Sequence, residues 1–208
     1  QNIHIIDLEI AHKNLEKACE FLYETAAKGG QIIFVGTKKQ AHDIVSIEAK
    51  RSGAMYVIER WIGGTITNHR VIRLNIDKLL NTIRKKELGE LDKYTKKEQL
   101  LIDREVEKLQ RSIGGITALK GVPAALGVVD SKREKTAVRE AVRSGVKVVG
   151  LVDTNSNPAG VDYVIPGNDD ALKSIALILK AFGDAVEAGY KKYAKDVEDK
   201  KIEVAAVQ

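Results

Sequence analysis

Short apolar runs alternate with longer amphipathic segments along most of the chain. Five such runs, each bounded by glycine, aspartate or proline, cover residues 32–35, 55–58, 125–129, 147–152 and 163–165. Runs of this kind are typical of strands that are buried on both faces. Segments with helical periodicity lie between them, at about 8–28, 38–52, 133–144 and 169–192. The alternation predicts an α/β protein with a parallel sheet and helices on both faces, whose ligands would lie beyond the carboxyl ends of the strands.

One interval, 66–113, interrupts this alternation. Apolar residues with 4-3-4 spacing recur in it twice, at Ile72, Ile76, Leu79 and Ile83, and again at Ile102, Val106, Leu109 and Ile113. This heptad spacing predicts two helical arms that pair lengthwise as an antiparallel coiled-coil hairpin. Thr95 and Glu98 form a capping box that would start the second arm. Two ordinary packed helices are the alternative, but the charged residues leave only one narrow apolar stripe on each arm.

These patterns divide the chain into three parts. The sheet domain is predicted at 1–65 and 114–192, the hairpin insertion at 66–113, and a charged tail, frayed or exposed to solvent, at 193–208. Because the chain starts at Gln1, we expect a further segment to precede it in the natural protein.

The composition excludes several classes of protein. No uncharged apolar run is long enough for a transmembrane helix, so we expect no membrane partner. The single cysteine, Cys19, excludes an internal disulfide framework and a cysteine-built zinc site, and it fits a reducing compartment. Aromatic residues make up only 5% of the chain, which disfavours stacking of bases on an aromatic platform.

Charge is unevenly distributed along the chain. Its 34 lysine and arginine residues outnumber 29 acidic residues, which gives a net charge of +5. Residues 36–86 alone hold eleven basic and four acidic side chains, residues 131–147 are also basic, and residues 148–187 are acidic. A polarised molecule of this kind is expected to face a polyanion with only part of its surface.

Two loops carry the candidate binding chemistry. Residues 36–39 read Gly-Thr-Lys-Lys between a strand and a helix, which suits a nucleotide phosphate, a nucleic-acid phosphate or simply a tight turn. They match neither a Walker A loop nor a dinucleotide fingerprint. Residues 60–70 read Arg-Trp-Ile-Gly-Gly-Thr-Ile-Thr-Asn-His-Arg, with glycines that permit close approach and polar side chains that contact phosphate or sugar. We expect Trp61 to fix this loop in the core.

Enzyme motifs are scarce in this sequence. The four histidines, His4, His12, His42 and His69, lack metal-ligand spacing, so no metal site is predicted. There is no Gly-x-Ser-x-Gly motif. The loops 153–158 and 166–170 follow strands and contain aspartates, but their residue types favour turns and helix caps over catalysis. A nucleotide-dependent enzyme, with Asp130 or Asp153 as acid, base or metal ligand, is kept as the alternative.

Four segments together carry a resemblance to a known family. They are 34–38 (Phe-Val-Gly-Thr-Lys), 60–64 (Arg-Trp-Ile-Gly-Gly), 152–155 (Val-Asp-Thr-Asn) and 165–170 (Ile-Pro-Gly-Asn-Asp-Asp). In this order and spacing the chain resembles the bacterial-type ribosomal protein S2 family of the small ribosomal subunit, from about residue 3 to about residue 189. Ile66 and Asn157 stand where leucine and aspartate are more usual in that family, and the basic segment that normally precedes the motif at Ile3 and His4 is absent.

The resemblance implies a flavodoxin-like sheet with strand order 2-1-3-4-5 and a protruding coiled-coil hairpin. It implies a structural, non-enzymatic role on the RNA of the small subunit, without a cofactor or a small-molecule substrate, in a cytoplasmic or organellar ribosome. The implied partners are small-subunit ribosomal RNA and neighbouring ribosomal proteins, including the large mRNA-binding first protein of the small subunit. Either the hairpin or the sheet domain would dock that protein.

These considerations select two sets of candidate site residues. Phosphate or sugar contacts to RNA are predicted at Thr37, Lys38, Lys39, Arg60, Thr65, Thr67, Asn68, His69, Arg70 and Arg73. Contacts to a protein partner are predicted on the hairpin at Lys85, Lys86, Lys93, Lys96 and Lys97.

Overall fold

The structure is a computed structural model that describes the backbone of residues 4–206 and the side chains of residues 4–199. Residues 1–3 of the predicted sheet domain and 207–208 of the predicted tail lie outside the described residues. The strands are β1 (Ile32–Val35), β2 (Met55–Val57), β3 (Ala125–Val129), β4 (Lys147–Val152) and β5 (Tyr163–Pro166). The helices are α1 (Leu8–Ala27), α2 (Lys39–Ser52), α3 (His69–Glu87), α4 (Lys96–Ile113), α5 (Lys135–Arg143) and α6 (Leu172–Ala206).

All neighbouring strands run parallel, in the order β2-β1-β3-β4-β5. This confirms the predicted α/β class and the flavodoxin-like strand order. Every residue of β1 is buried, with Ile32 and Phe34 in the core under α1, α2 and α6, and Ile33 and Val35 in the core on the opposite face. Alternate side chains of a strand point to opposite faces, so burial on both faces produces the uninterrupted apolar runs.

Helices α1 and α4 begin where the sequence supplies caps. The Asp7 carboxylate accepts hydrogen bonds from the amides of Glu9 and Ile10 at the start of α1. Thr95 and Glu98 exchange hydrogen bonds as the predicted capping box of α4. Each cap satisfies amide groups that a helix leaves without partners in its first turn.

Helices α3 and α4 form the interval that interrupts the alternation. Ile72, Ile76 and Leu79 of α3 are buried in the core that α5 also covers, so the first half of α3 packs against the sheet. Farther out, Lys78 pairs with Glu105, and Lys86 pairs with Asp103 at 2.6 Å. The two helices therefore contact each other, while a coiled coil remains a prediction.

The charged run after Tyr193 continues the last helix. The backbone of α6 is one helix of 35 residues that ends at Ala206. Between 194 and 199 every side chain is exposed except that of Val197, which is half-buried, and a separate tail at 193–208 stays a prediction. Lysine, glutamate and alanine dominate the run, and their high helix propensity lets the last helix extend.

Candidate nucleic-acid interface

The loop after β1 is closed by a buried glutamate. Glu134, which directly precedes α5, accepts hydrogen bonds from the amide of Thr37 at 2.8 Å and from its hydroxyl at 2.5 Å. The same hydroxyl accepts a hydrogen bond from Arg133 Nε at 2.9 Å. Burial raises the pKa of Glu134, and the hydrogen bonds from Thr37 counteract this shift. Thr37 is itself buried, so its polar groups are occupied within the fold.

Lys38 likewise faces inward. Its ammonium lies 2.6 Å from Asp169 Oδ1, 2.5 Å from Asp170 Oδ1 and 3.8 Å from Asp130 Oδ2. Burial lowers its pKa, but the hydrogen bonds to Asp169 and Asp170 outweigh burial, so the pKa is raised overall. Only 15% of the side chain is exposed. Lys39, the next residue, is exposed and is the lysine of this pair that faces solvent.

A second buried glutamate organises the loop after β2. Glu140 of α5 accepts hydrogen bonds from Trp61 Nε1 at 3.2 Å, from the amide of Gly64 at 2.7 Å and from that of Ile66 at 3.1 Å. The amide and hydroxyl of Thr67 approach the same carboxylate at 3.4 Å. One carboxylate therefore fixes four residues of the loop, and hydrogen bonds to a charged acceptor are the stronger kind.

The inner side chains of this loop are enclosed. Trp61 is 5% exposed, which agrees with the expectation that it fixes the loop in the core. The hydroxyl of Thr65 donates to the carbonyl of Ile62 at 2.6 Å, and Thr65 is only 1% exposed. Thr65 therefore lies inside the loop and faces away from any partner.

The outer side of the same loop is polar and positively charged. Arg60, Thr67, Asn68 and Arg70 are exposed, and Arg73 is 45% exposed although its Nε contacts Asp77 at 3.0 Å. We call these five residues the loop surface.

His69 sits at the start of α3 between Asn68 and Arg70 of the loop surface. It is half-buried, and its Nε2 has no hydrogen-bond partner among the residues that the structure describes.

Helix α4 adds cations that the sequence pattern did not single out. Arg60 lines a shallow depression of about 430 Å³ together with Arg104, Lys108 and Arg111. Glu59 and Glu107 line it as well, so this depression has an excess of two positive charges. The heptad pattern predicts only that Arg104, Lys108 and Arg111 lie on the outside of a hairpin arm. Their position beside Arg60 follows from the fold.

Comparison with known proteins decides the family. The model of the ribosomal protein S2 family matches residues 1–189. The chain is 50% identical to small ribosomal subunit protein uS2 of Francisella tularensis subsp. tularensis over 184 residues, which is 88% of this chain and 77% of the relative. The proteins of the same name from F. tularensis subsp. holarctica and F. philomiragia are 49% and 48% identical over the same shares. The chain belongs to the ribosomal protein S2 family.

Family membership confirms the resemblance seen in the four segments. A member of this family is a structural constituent of the ribosome and not an enzyme. Burial, and then the charge of Asp184, raise the pKa of Cys19 to about 11. Such a thiol is almost entirely protonated at neutral pH and is a poor nucleophile.

Two of the four family motifs in this ribosomal protein are bound by glutamates in α5 or directly before it. Glu134 holds the first motif at Thr37, and Glu140 holds the second at Trp61 and Gly64. Sequence reasoning missed both glutamates. The available signal for Glu140 was its place among Ala137, Val138 and Ala141 on the apolar side of a short helix, where a carboxylate needs buried donors.

The exposed side of α5 carries a second group of cations. Lys132, Lys135 and Arg139 line a depression of about 310 Å³, with Ser131 and Asn157 at its border. All three cations are exposed; Lys132 lies in the turn before α5, and Lys135 and Arg139 lie one helical turn apart on α5. We call them the α5 cations. Asn157 is uncharged, so it adds no negative charge here.

The hairpin lysines lie together at the outer ends of α3 and α4. Lys85 belongs to the last turn of α3, Lys93 to the connecting turn, and Lys96 and Lys97 to the first turn of α4; all four are exposed. Lys86 differs from them because Asp103 neutralises it.

Along the part of the chain that the structure describes, no helix is long and apolar enough to span a membrane.

Proposed function

We propose that this chain is a structural component of the small ribosomal subunit that binds ribosomal RNA mainly through phosphate and sugar contacts. The observation that carries the proposal is the loop held by Glu140, which presents Arg60, Thr67, Asn68 and Arg70 on its outer side. Arginine, threonine and asparagine are the side chains that commonly bind the nucleic-acid backbone.

Rigidity of the loop supports this role. Its indole, three backbone amides and one hydroxyl are all within hydrogen-bonding distance of the Glu140 carboxylate. A loop that is ordered before binding avoids the entropic cost of being ordered by the RNA. The positive surface continues onto α4 through Arg104, Lys108 and Arg111, which line one depression together with Arg60.

The geometry narrows the set of predicted RNA contacts. Thr37, Lys38 and Thr65 have their polar groups engaged within the fold, so we assign them a structural role in place of the predicted contact. Lys39, His69 and the loop surface remain proposed contacts. The α5 cations are added to them because they form a second exposed positive patch.

The mode of recognition follows from the side chains on these surfaces. The loop surface and the α5 cations consist of cations and small polar side chains, whereas Trp61 is buried. Such surfaces recognise the backbone and shape of RNA, with little reading of base identity.

A neighbouring ribosomal protein is the proposed partner of the hairpin. Lys85, Lys93, Lys96 and Lys97 would contact acidic side chains of that protein, the large mRNA-binding first protein of the small subunit being the candidate. Reversing these four lysines to glutamate is expected to weaken binding of that protein at least tenfold in a pull-down titration. Reversing Lys173, Lys180, Lys192 and Lys195 of α6 is the matched control. Equal binding by both variants would assign docking to the sheet domain.

Sedimentation tests the proposed function of the whole chain. Tagged protein expressed in its native cell should migrate with the small subunit in a sucrose gradient at low Mg²⁺, where the subunits separate. A variant with glutamine at Arg60, Arg70 and Arg73 should shift toward the top of the gradient. Migration of the wild-type protein with free proteins alone would refute the proposal.

A further inference from the structure

Four carboxylates lie at the carboxyl ends of the strands, and one ammonium contacts three of them. Asp130 directly follows β3, Asp153 directly follows β4, and Asp169 and Asp170 lie just beyond β5. We call these four residues the carboxylate cluster. Lys38 contacts three of them, at 2.6 Å from Asp169, 2.5 Å from Asp170 and 3.8 Å from Asp130. One positive charge offsets only one of the four negative charges that the cluster carries when it is ionised.

Asp169 has an oxygen atom without a partner. The residue is 1% exposed, and its Oδ2 is buried with no hydrogen-bond partner among the described residues. A buried carboxylate oxygen of this kind is costly unless something positive or a hydrogen-bond donor satisfies it. Burial raises the pKa of Asp169, and the charges of Asp130 and Asp153 add to this shift against the effect of Lys38.

The distances within the cluster match the size of a cation site. One carboxylate oxygen from each of Asp153, Asp169 and Asp170 lies within 4.8 Å of the other two. Oxygen atoms on opposite sides of a six-coordinate ion are about 4.2 Å apart for Mg²⁺ and about 4.8 Å apart for Ca²⁺. The three oxygen atoms are therefore close enough together to share one ion.

We propose that Asp153, Asp169 and Asp170 bind one hard divalent cation of the Mg²⁺ class, with water molecules as the other ligands. Carboxylate oxygens are the ligands that Mg²⁺, Mn²⁺ and Ca²⁺ prefer, and the three ligand residues include no histidine or cysteine that would favour zinc. Asp170 is exposed, so the site opens to solvent on that side. From the sequence alone, no metal site is predicted. Asp153 is distant from the other two ligands in the sequence, and only the folded sheet brings the three residues together.

Metal titration of the full chain tests the proposal. The protein is stripped with EDTA and titrated with Mn²⁺, whose free fraction is measured by electron paramagnetic resonance, and Mg²⁺ and Ca²⁺ are then added as competitors. One bound Mn²⁺ per chain, displaced by Mg²⁺ or Ca²⁺, is the expected result, and the more effective competitor identifies the preferred ion. No stoichiometric binding up to 1 mM Mn²⁺, on the order expected for weak carboxylate sites, would overturn the proposal.

Variants locate the bound ion within the molecule. Asp169→Asn is expected to weaken Mn²⁺ binding at least tenfold, and Asp170→Asn provides the same test at an exposed position. The matched control is Asp162→Asn, at the amino end of β5, where the carboxylate binds Lys147 and the amide of Val148 instead. Binding that is equal in Asp170→Asn and wild type, or that is lost in Asp162→Asn, contradicts the assignment.

Lys38 gives a test with the opposite sign. If the cluster binds a cation, Lys38→Met removes a competing positive charge, and Mn²⁺ should bind about tenfold more tightly than to the wild type. The same ion should then raise the melting temperature of Lys38→Met more than that of the wild type. Weaker binding to Lys38→Met, in a sample shown to be folded by circular dichroism, would mean that the cluster serves only to hold the lysine.

Discussion

Replacing Glu140 with glutamine is expected to lower the free energy of unfolding by about 2 kcal/mol, a value within the range measured for hydrogen bonds to a charged group. The amide side chain of glutamine keeps the shape of glutamate but has one acceptor oxygen in place of two. The five donor groups of Trp61, Gly64, Ile66 and Thr67 cannot all be satisfied by it. Denaturant unfolding, followed by the fluorescence of Trp61, measures this loss directly because Trp61 is the only tryptophan.

The same variant should bind ribosomal RNA about tenfold more weakly, which corresponds to about 1.4 kcal/mol. The loss arises because the loop surface must then be ordered at the moment of binding. Glu24→Gln, which removes an exposed carboxylate from α1, is the matched control and should leave both stability and affinity unchanged. RNA binding by Glu140→Gln at the wild-type level would show that the carboxylate does not position the loop surface.

Removing the three arginines of the loop surface should have the largest effect on RNA binding. Changing Arg60, Arg70 and Arg73 together to glutamine is expected to lower the affinity about a hundredfold, since charge-assisted contacts to phosphate contribute about 1 kcal/mol or more each. Stability should change little, because Arg60 and Arg70 are exposed and Arg73 is half-exposed and contacts only Asp77 and a carbonyl. Filter binding to the matching ribosomal RNA gives the affinity.

A control of equal charge separates specific contacts from general attraction. Changing Lys13, Lys17 and Lys28 to glutamine also removes three positive charges, but these residues lie on α1 or directly after it, on the opposite face of the sheet. This variant is expected to lose at most threefold in affinity, about 0.7 kcal/mol. Equal losses in the two triple variants would mean that net charge, and not the loop surface, determines binding.

The strands and the family could be predicted from the sequence because their signals are local. Because β1 and β3 are buried on both faces, their sequences are continuous apolar runs. The capping box of Thr95 and Glu98 lies within four consecutive residues. The position of Lys38 could not be predicted in this way. Its partner Asp169 lies 131 residues away, and the two meet only because β1 and β5 end at the same edge of the sheet.

Glu140 shows why the candidate site was only partly predictable. A single acidic residue on a helix ordinarily faces solvent, and the apolar neighbours of Glu140 on α5 are the one local signal that it is buried. Its role depends on donors from residues more than seventy positions earlier in the chain. The exposed arginines of the same loop were predictable because charge and neighbouring small residues identify them without knowledge of the fold. The sequence thus predicts the polar outer side of the candidate site, and the structure was needed for the carboxylate that holds the loop.

The central claim is that the chain binds ribosomal RNA through phosphates on the loop surface and the α5 cations. The salt dependence of that binding tests it most directly, because each neutralised phosphate releases counterions. For the wild-type protein, the logarithm of the binding constant should fall linearly with the logarithm of KCl concentration, with a slope of about −4 to −6. The Arg60, Arg70 and Arg73 variant should reduce this slope by about 2 to 3. An affinity that ignores salt, or a slope that the three substitutions leave unchanged, would contradict the claim.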